Sequence, residues 1–163
     1  IISIFILIIY KHMFVETDIE IIIYTLTLLK PNDKPNWGSM SAQRMVEHLT
    51  DTVNLSFNKH NYTLQLPIDK VEKAQRFILS EYELPKNFNA SFASSNIKLR
   101  NESIDEAIIE LEESWVDMIE YFKNNPESKT LHPHFGLLNA ELWLRLHSKH
   151  FTHHFLQFNL INK

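Results

Sequence analysis

Apolar residues recur with the period of an α-helix along much of this 163-residue chain. The clearest stretch covers residues 103–123 and opens with Ser103-Ile104-Asp105-Glu106, which has the Ser-x-x-Glu form of a capping box. Steps of three and four residues put six apolar residues on one face of this helix: Ile104, Ile108, Leu111, Trp115, Met118 and Phe122. Acidic residues cover most of the other faces, so we expect this helix to be half-buried with solvent on its outer side.

A second capping box, Thr17-Asp18-Ile19-Glu20, predicts a helix that extends to about Leu29. Pro31 and Pro35 follow and prevent its continuation. The interior of this segment is rich in Ile, which is a poor helix former. A β-strand is therefore the competing interpretation for this part of the chain.

Three further helical segments are predicted at residues 41–57, 67–79 and 139–158. Ser41 and Asn139 each supply a side-chain oxygen that can cap the N-terminus of the helix it precedes. Residues 84–102 are rich in Asn, Ser and Lys, and their pattern predicts a long irregular stretch. A stretch of this length is either a cover for a binding site or a surface loop.

Long helices with short to medium connections favour an all-α fold, and the natural architecture is an up-down four-helix bundle. The composition supports this prediction, because the chain has only 2 Gly and tight hairpins favour glycine. Scarce glycine also excludes phosphate-binding loops and the dinucleotide-binding fingerprint. The chain has 0 Cys, which excludes disulfides, thiolate zinc sites and a cysteine nucleophile.

The formal net charge is −4, and no block of basic residues offers a footprint for nucleic acid. Residues 1–12 are mostly apolar but too few to span a bilayer, which takes roughly 20 residues. We expect the natural start at Met13, with residues 1–12 as an extension upstream of it; a weak membrane-proximal stretch is the alternative. The sequence thus predicts one domain over residues 13–163, no membrane span and a cytoplasmic location.

The last predicted helix, at residues 139–158, contains most of the candidate functional residues. Its expected inward stripe contains three imidazoles and an amide where a bundle helix normally has Leu and Ile: Trp143, His147, His150, His154, Gln157 and Ile161. His150 and His154 are four residues apart, so both rings project from one face, as in the metal-binding helices of zinc enzymes. One such pair is weak evidence alone, since about 0.4 pairs are expected by chance among nine histidines.

Two features strengthen the metal hypothesis: the pair lies on the apolar stripe, and four of the nine histidines fall within residues 147–154. His48, on the inward face of the helix that Ser41 opens, is the best candidate for a third ligand, although an ordinary core histidine is the competing interpretation. Three imidazoles with an open fourth position are typical of a catalytic site. Zinc is the first expectation for the divalent metal, with Ni or Fe as alternatives. Gln157 is expected to hydrogen-bond a ligand, and His147 either lines the cavity or replaces a ligand.

Several motifs resemble one branch of the DinB-like superfamily, catalogued as domain of unknown function 1569. The opening motif is Pro35-Asn36-Trp37-Gly38-Ser39-Met40-Ser41-Ala42-Gln43, followed by Met45 and His48. The closing motifs are His132-Pro133-His134-Phe135-Gly136, Glu141-Leu142-Trp143 and His150-Phe151-Thr152-His153-His154-Phe155-Leu156-Gln157-Phe158. The resemblance covers residues 13–161, nearly the whole chain.

This resemblance implies a four-helix bundle with a three-histidine metal site, and the ligands carried over are His48, His150 and His154. The superfamily includes bacillithiol- and mycothiol-dependent transferases and a maleylpyruvate isomerase. Trp37 and His134, which lie in the two motifs, become candidates for the cavity wall. The chain departs from the wider superfamily at residues 155–156, where Phe-Leu stands in place of Arg-Gly, and this leaves any role of that arginine without a counterpart.

The resulting functional expectation is a metal-dependent enzyme that activates a low-molecular-weight thiol, or water, for transfer to a small electrophilic substrate. The alternative is a non-catalytic module that binds a small ligand or acts in a stress response on the same bundle. The expected partner is a small molecule rather than nucleic acid, and a homodimer is expected by analogy with the superfamily.

Overall fold

A computed structural model describes residues 13–57, 62–86 and 97–162. The expectations for residues 1–12 and for the middle of the stretch 84–102 lie outside the described residues. Helices dominate the part of the chain that is described, which confirms the all-α class in its broad form. None of these helices combines the length and the apolar character needed to cross a membrane.

The described elements follow one another in a simple order. The helices are α1 (Ile19–Leu26), α2 (Ala42–Leu55), α3 (Val71–Leu79), α4 (Ile104–Asn124) and α5 (Ala140–Gln157). A turn of 3-10 helix, Ile68–Lys70, leads directly into α3, and two short strands, β1 (Thr130–His132) and β2 (Gly136–Leu138), stand between α4 and α5.

The N-terminal caps of three helices agree with the sequence. The side chains of Ser41, Ser103 and Asn139 accept hydrogen bonds from the first turns of α2, α4 and α5. At α4 the Glu106 carboxylate accepts a hydrogen bond from the Glu102 N–H at 2.9 Å. The acidic arm of the capping box therefore reaches one residue further back than expected, and it still satisfies a backbone donor at the helix entrance.

The first helix differs from its prediction at both ends. Asp18, not Thr17, is the cap, because its carboxylate accepts from the N–H groups of Glu20 and Ile21. The helix ends at Leu26 rather than Leu29, and the strand interpretation is wrong. Ile22 and Leu26 lie one turn apart and are fully buried, so burial on one helical face outweighs the weak helix propensity of isoleucine.

The hydrophobic core lies mainly between α2 and α4, which pack along each other. All six residues expected on the inward face of α4 are buried. Met45, Leu49 and Val53 of α2 recur with the same period and are also buried. Helix α1 packs against α4, whereas α3 and α2 both contact α5. Helix α5 is thereby held between two elements.

A β-hairpin between α4 and α5 is the feature that the sequence analysis missed. Thr130 pairs with Leu138 and His132 with Gly136 in antiparallel register. The scarcity of glycine argued against tight turns, yet Gly136 closes this one at a φ of 74°. The loop consists of Pro133, His134 and Phe135, and the left-handed glycine that follows it is the first residue of β2.

The hairpin joins three helices. The Thr130 hydroxyl donates to the Ser56 carbonyl at 2.6 Å and accepts from the Trp143 indole N–H at 2.7 Å. The Gln75 amide of α3 donates to the backbone carbonyls of Phe135 at 2.9 Å and of Leu137 at 3.1 Å. The hairpin therefore ties the end of α2, the side of α3 and the start of α5 together.

We expect Gly136→Ala to destabilise the fold by about 2 kcal/mol, because a Cβ atom there would lie 2.7 Å from Val71 Cγ1 and would also have to accept a positive φ. Urea unfolding measures the loss. Gly38→Ala is the matched control. Gly38 also has a positive φ, 76°, but it is exposed, so this variant should lose only about 1 kcal/mol of its free energy of unfolding. Val71→Ala removes the clashing atom and should recover part of the loss. Equal losses at both glycines would contradict this account.

Candidate metal centre

Three imidazoles meet where α2 and α5 touch. His48 lies in the middle of α2, and His150 and His154 lie one turn apart on α5. Their Nε2 atoms converge: His150 Nε2 is 3.0 Å from His48 Nε2 and 3.0 Å from His154 Nε2. The candidate ligand atoms of the three residues all lie within 4.8 Å of one another. His48 and His154 are buried, and His150 is the more exposed member.

The side chain of Gln157 fixes which nitrogen of His154 carries a proton. Gln157 Nε2 lies 2.7 Å from the Trp37 carbonyl oxygen, which can only accept a hydrogen bond. The amide nitrogen therefore faces Trp37, and the amide oxygen faces His154 Nδ1 at 2.8 Å. Because that oxygen is also only an acceptor, Nδ1 must carry the hydrogen. In a neutral ring the lone pair then sits on Nε2, directed at the other two histidines.

Neutral imidazoles alone do not satisfy both 3.0 Å contacts well. Since His154 Nε2 is an acceptor, its contact with His150 requires a proton on His150 Nε2. His48 Nε2 must then accept from that same N–H, because a proton on His48 Nε2 would set two N–H groups against each other. A cation held by three Nε2 lone pairs resolves this conflict, and the donor set therefore fits a divalent metal ion.

The electrostatics keep the three rings uncharged. Burial, and next the Arg44 guanidinium, lower the pKa of His48 to about 3. Burial also holds the pKa values of His150 and His154 well below their usual range, and the neighbouring imidazoles add to this effect. Neutral imidazole is the form that ligates metals, so the site is prepared for a cation at neutral pH.

His147 lies one turn before His150 in an aromatic enclosure. Its ring stacks on Trp143 at a centroid distance of 5.6 Å and meets Trp115 edge-on at 5.6 Å. Its Nε2 atom is buried and has no hydrogen-bond partner among the described residues. His147 is not one of the three converging histidines. Two indoles lie against its ring, and its expected place in a cavity wall stays a prediction.

The structure places the other candidates apart from the triad. His134 is half-buried in the hairpin turn, where its backbone N–H donates to His132 Nδ1 at 3.0 Å. Trp37 contributes its carbonyl to the Gln157 contact, while its ring lies edge-on to His153 at 5.4 Å. Asp51, three residues after His48, pairs with Arg44 at 2.9 Å and with Arg100 at 2.8 Å.

Two features near the site went unrecognised in the sequence. His132 is buried, and burial together with the nearby His134 and His147 lowers its pKa to about 3. The two-residue spacing of Thr130 and His132, which places both on the buried face of β1, was the signal that could have revealed it. The second feature is the Trp37 backbone carbonyl, which the sequence has no means of marking. An acceptor of this kind is visible only once the chain before α2 is seen beside the end of α5.

Comparisons with known proteins do not assign this chain to a family. No protein-family model, no curated protein and no solved structure matches this chain. The candidate centre therefore depends on its own geometry: three converging nitrogens, one tautomer fixed by an amide, and an aromatic enclosure.

We expect Gln157→Leu to weaken binding of Zn²⁺ or Co²⁺ by about 10- to 100-fold, because His154 would lose the acceptor that keeps its lone pair on Nε2. Metal titration by calorimetry measures the effect. Asn36→Ala is the matched control, since Asn36 ties the same loop to Leu156 and Asn159 without touching a histidine. A loss of similar size in Asn36→Ala would show that general loosening of the loop, rather than the tautomer, controls affinity.

The metal-free protein should lose stability on acidification. The pKa values of His48, His132 and His147 are lowered to about 3 in the folded state, so below pH 6.5 the unfolded chain takes up protons that the native state refuses. The stabilisation is complete above the unfolded-state pKa and is lost as the pH falls toward 3, by at most about 1.4 kcal/mol per pH unit for each histidine.

The variant His147→Phe tests this expectation, since it keeps a ring against Trp143 and removes one titrating group. Urea unfolding with EDTA at about pH 7.5 and about pH 5 should show a shallower pH dependence in the variant than in the parent. His134→Gln, at a half-buried position, should change the slope less. An unaltered slope in His147→Phe would contradict the assignment of a depressed pKa to that ring.

Proposed function

We propose that this chain is a metal-dependent enzyme of the DinB-like type, with His48, His150 and His154 holding one divalent ion. The observation that carries the proposal is the convergence of three Nε2 atoms, with His150 3.0 Å from each of the other two. Nitrogen donors suit Zn²⁺, with Ni²⁺ and Fe²⁺ as alternatives. Three protein ligands leave a position for a further ligand, as catalytic sites require.

When bound, the metal would lower the pKa of a coordinated thiol or water and so supply a nucleophile at neutral pH. The chain has 0 Cys, so a sulfur nucleophile would have to arrive as a separate low-molecular-weight thiol. The proposed reaction is transfer of that thiol, or of water, to a small electrophilic substrate.

The protein's own residues supply orientation and a dry environment. Gln157 keeps the proton of His154 on Nδ1 and leaves Nε2 free to act as a ligand. Trp115, Trp143 and Phe151 surround His147, one turn before His150, and give that part of α5 an apolar environment. His150 is more exposed than the other two histidines, so solvent and substrate would approach from its side.

The same proposal includes the architecture, an up-down four-helix bundle. Two observations support it: α2 packs along α4, and α2 meets α5 where the histidines converge. A ligand set that comes from two facing helices of a bundle is a common way to build a metal site. The β-hairpin before α5 would be an addition to that architecture.

Metal content and activity test the proposal together. The purified protein should contain close to one equivalent of a divalent metal by elemental analysis, and His150→Ala should lose it. His153→Ala is the matched control, because it removes an imidazole that meets the His154 ring edge-on at 5.0 Å and accepts from the Trp37 indole, but supplies none of the three converging nitrogens. The metal-loaded protein should then consume an electrophile in the presence of a thiol, and His150→Ala should not.

Metal retained in His150→Ala would remove the proposed site. Metal bound in the parent but no turnover across a panel of thiols and electrophiles would support the second candidate, a module that binds a small ligand without catalysis. Such a module should show a ligand-dependent rise in melting temperature.

A further inference from the structure

A cleft of about 120 Å³ opens on another face of α5. Its apolar walls are formed by Phe14, Trp37, Leu84 and Leu156. The residues that α5 gives to the cleft, 149, 152, 153 and 156, recur in steps of three and four and so form one helical face. The triad uses a different set, 150 and 154. The cleft is therefore next to the metal centre but separate from it.

The uncharged polar side chains in the cleft, His153 and Thr152, already form hydrogen bonds within the protein. His153 Nε2 accepts from the Trp37 indole N–H at 3.4 Å, and the ring also hydrogen-bonds the Leu84 backbone. The Thr152 hydroxyl donates to the Ser148 carbonyl at 2.8 Å and accepts from the Val15 N–H at 2.7 Å. A ligand would therefore meet mainly apolar and aromatic surface from these residues.

Two ammonium groups give the cleft its charge. Lys86 Nζ lies 4.2 Å from the centroid of the Trp37 ring. Lys149 is buried, and its Nζ donates to the carbonyls of Ser80 at 2.7 Å and Tyr82 at 2.5 Å. Among the described residues that line the cleft, Glu83 is the one acidic residue, so their formal charge is positive.

The buried position of Lys149 carries an electrostatic cost. Burial, and next the nearby Arg145, lower the pKa of Lys149 to about 8, whereas the Glu81 carboxylate raises it. An anion in the cleft would offset this cost by stabilising the ammonium form. Positive charge beside aromatic walls favours a ligand that combines an anionic group with a flat apolar body.

We propose that this cleft binds a small aromatic carboxylate, with the ring against Trp37 and Phe14 and the carboxylate beside Lys86. A closed apolar cavity of about 150 Å³ is large enough to hold benzene, so an open cleft of about 120 Å³ suits one ring with its charged group toward the rim. The carboxylate would lie beside the Lys86 ammonium, whose Nζ is 4.2 Å from the centroid of the Trp37 ring.

The proposal does not depend on the metal centre. The Trp37 ring lines the cleft, whereas its backbone carbonyl holds Gln157. Trp37→Phe therefore removes the indole and leaves the carbonyl in place. His150→Ala, in turn, abolishes the metal site and leaves every residue of the cleft unchanged. Failure of one proposal can be told apart from failure of the other.

Benzoate is the probe, and the indole N–H signals of the full-length protein in a ¹H–¹⁵N spectrum are the readout. The chain has 3 Trp, and the signal of Trp37 is the one missing in Trp37→Phe. Benzoate should shift this signal saturably with a Kd of about 1 mM, a value in keeping with so small a ligand. Trp115 and Trp143, which are buried, should not respond.

Two comparisons test the chemistry of the site. Benzylamine has the same ring with the opposite charge, and acetate has the charge without the ring; both should bind at least about fivefold more weakly than benzoate. Lys86→Gln should weaken benzoate by a similar factor, and Lys86→Arg should retain it. His150→Ala should bind benzoate as the parent does.

The proposal is overturned if the Trp37 signal does not move at about ten times the expected Kd, or if benzylamine binds as well as benzoate. Unchanged affinity in Lys86→Gln would equally overturn it, because the carboxylate would then have no partner at the rim. Loss of benzoate binding in His150→Ala would show that benzoate occupies the metal centre instead, and this too would overturn the proposal.

Discussion

The contact between α2 and α5 depends on three imidazoles that must all stay uncharged. Where two bundle helices usually interlock aliphatic side chains, His48, His150 and His154 place their Nε2 atoms about one hydrogen-bond length apart. A second proton on each ring would place three positive charges together in a buried site. Burial is the largest cause of their lowered pKa values, and the neighbouring imidazoles add to it for His150 and His154. Geometry and electrostatics thus favour the one state of the rings that can ligate a cation.

Helix α2 can carry this polar contact because it is held firmly elsewhere. On the side of α4, Met45, Leu49 and Val53 are buried in the core. Next to His48, the fully buried Glu47 accepts hydrogen bonds from the backbone N–H groups of Arg100 and Asn101, which ties α2 to the chain that enters α4. The position of His48 is therefore set by packing and by a carboxylate, while the position of His154 is set by an amide. The two ligand helices reach the same point by independent means.

Much of this arrangement could be predicted from local patterns. The inward face of α4, the caps at Ser41, Ser103 and Asn139, and the stripe of histidines on α5 each depend on spacing within one helix, and spacing is what a sequence displays. The choice of Asp18 over Thr17 as a cap was missed because both residues can accept the same bonds, and only the packing of Ile22 and Leu26 selects the register.

The features that escaped prediction are contacts between distant parts of the chain. The hairpin is stabilised by Thr130 reaching Ser56 and by Gln75 reaching the hairpin backbone, so neither strand is strongly marked by its own residues. In the same way, the tautomer of His154 depends on a carbonyl 120 residues away from Gln157 in sequence. A single sequence can nominate the ligands, but it does not show the backbone groups that orient them.

Helix α5 carries most of the candidate functional residues because its sides face different surroundings. Phe151 and Phe155 face the core, His150 and His154 face α2, and Lys149 with His153 faces the cleft, so no side of the helix is left simply to solvent along this turn. Trp37 touches two of these sides at once, through its ring and through its carbonyl. The two contacts use different atoms of one residue, so the indole can be replaced without removing the acceptor that holds Gln157 and, through it, His154.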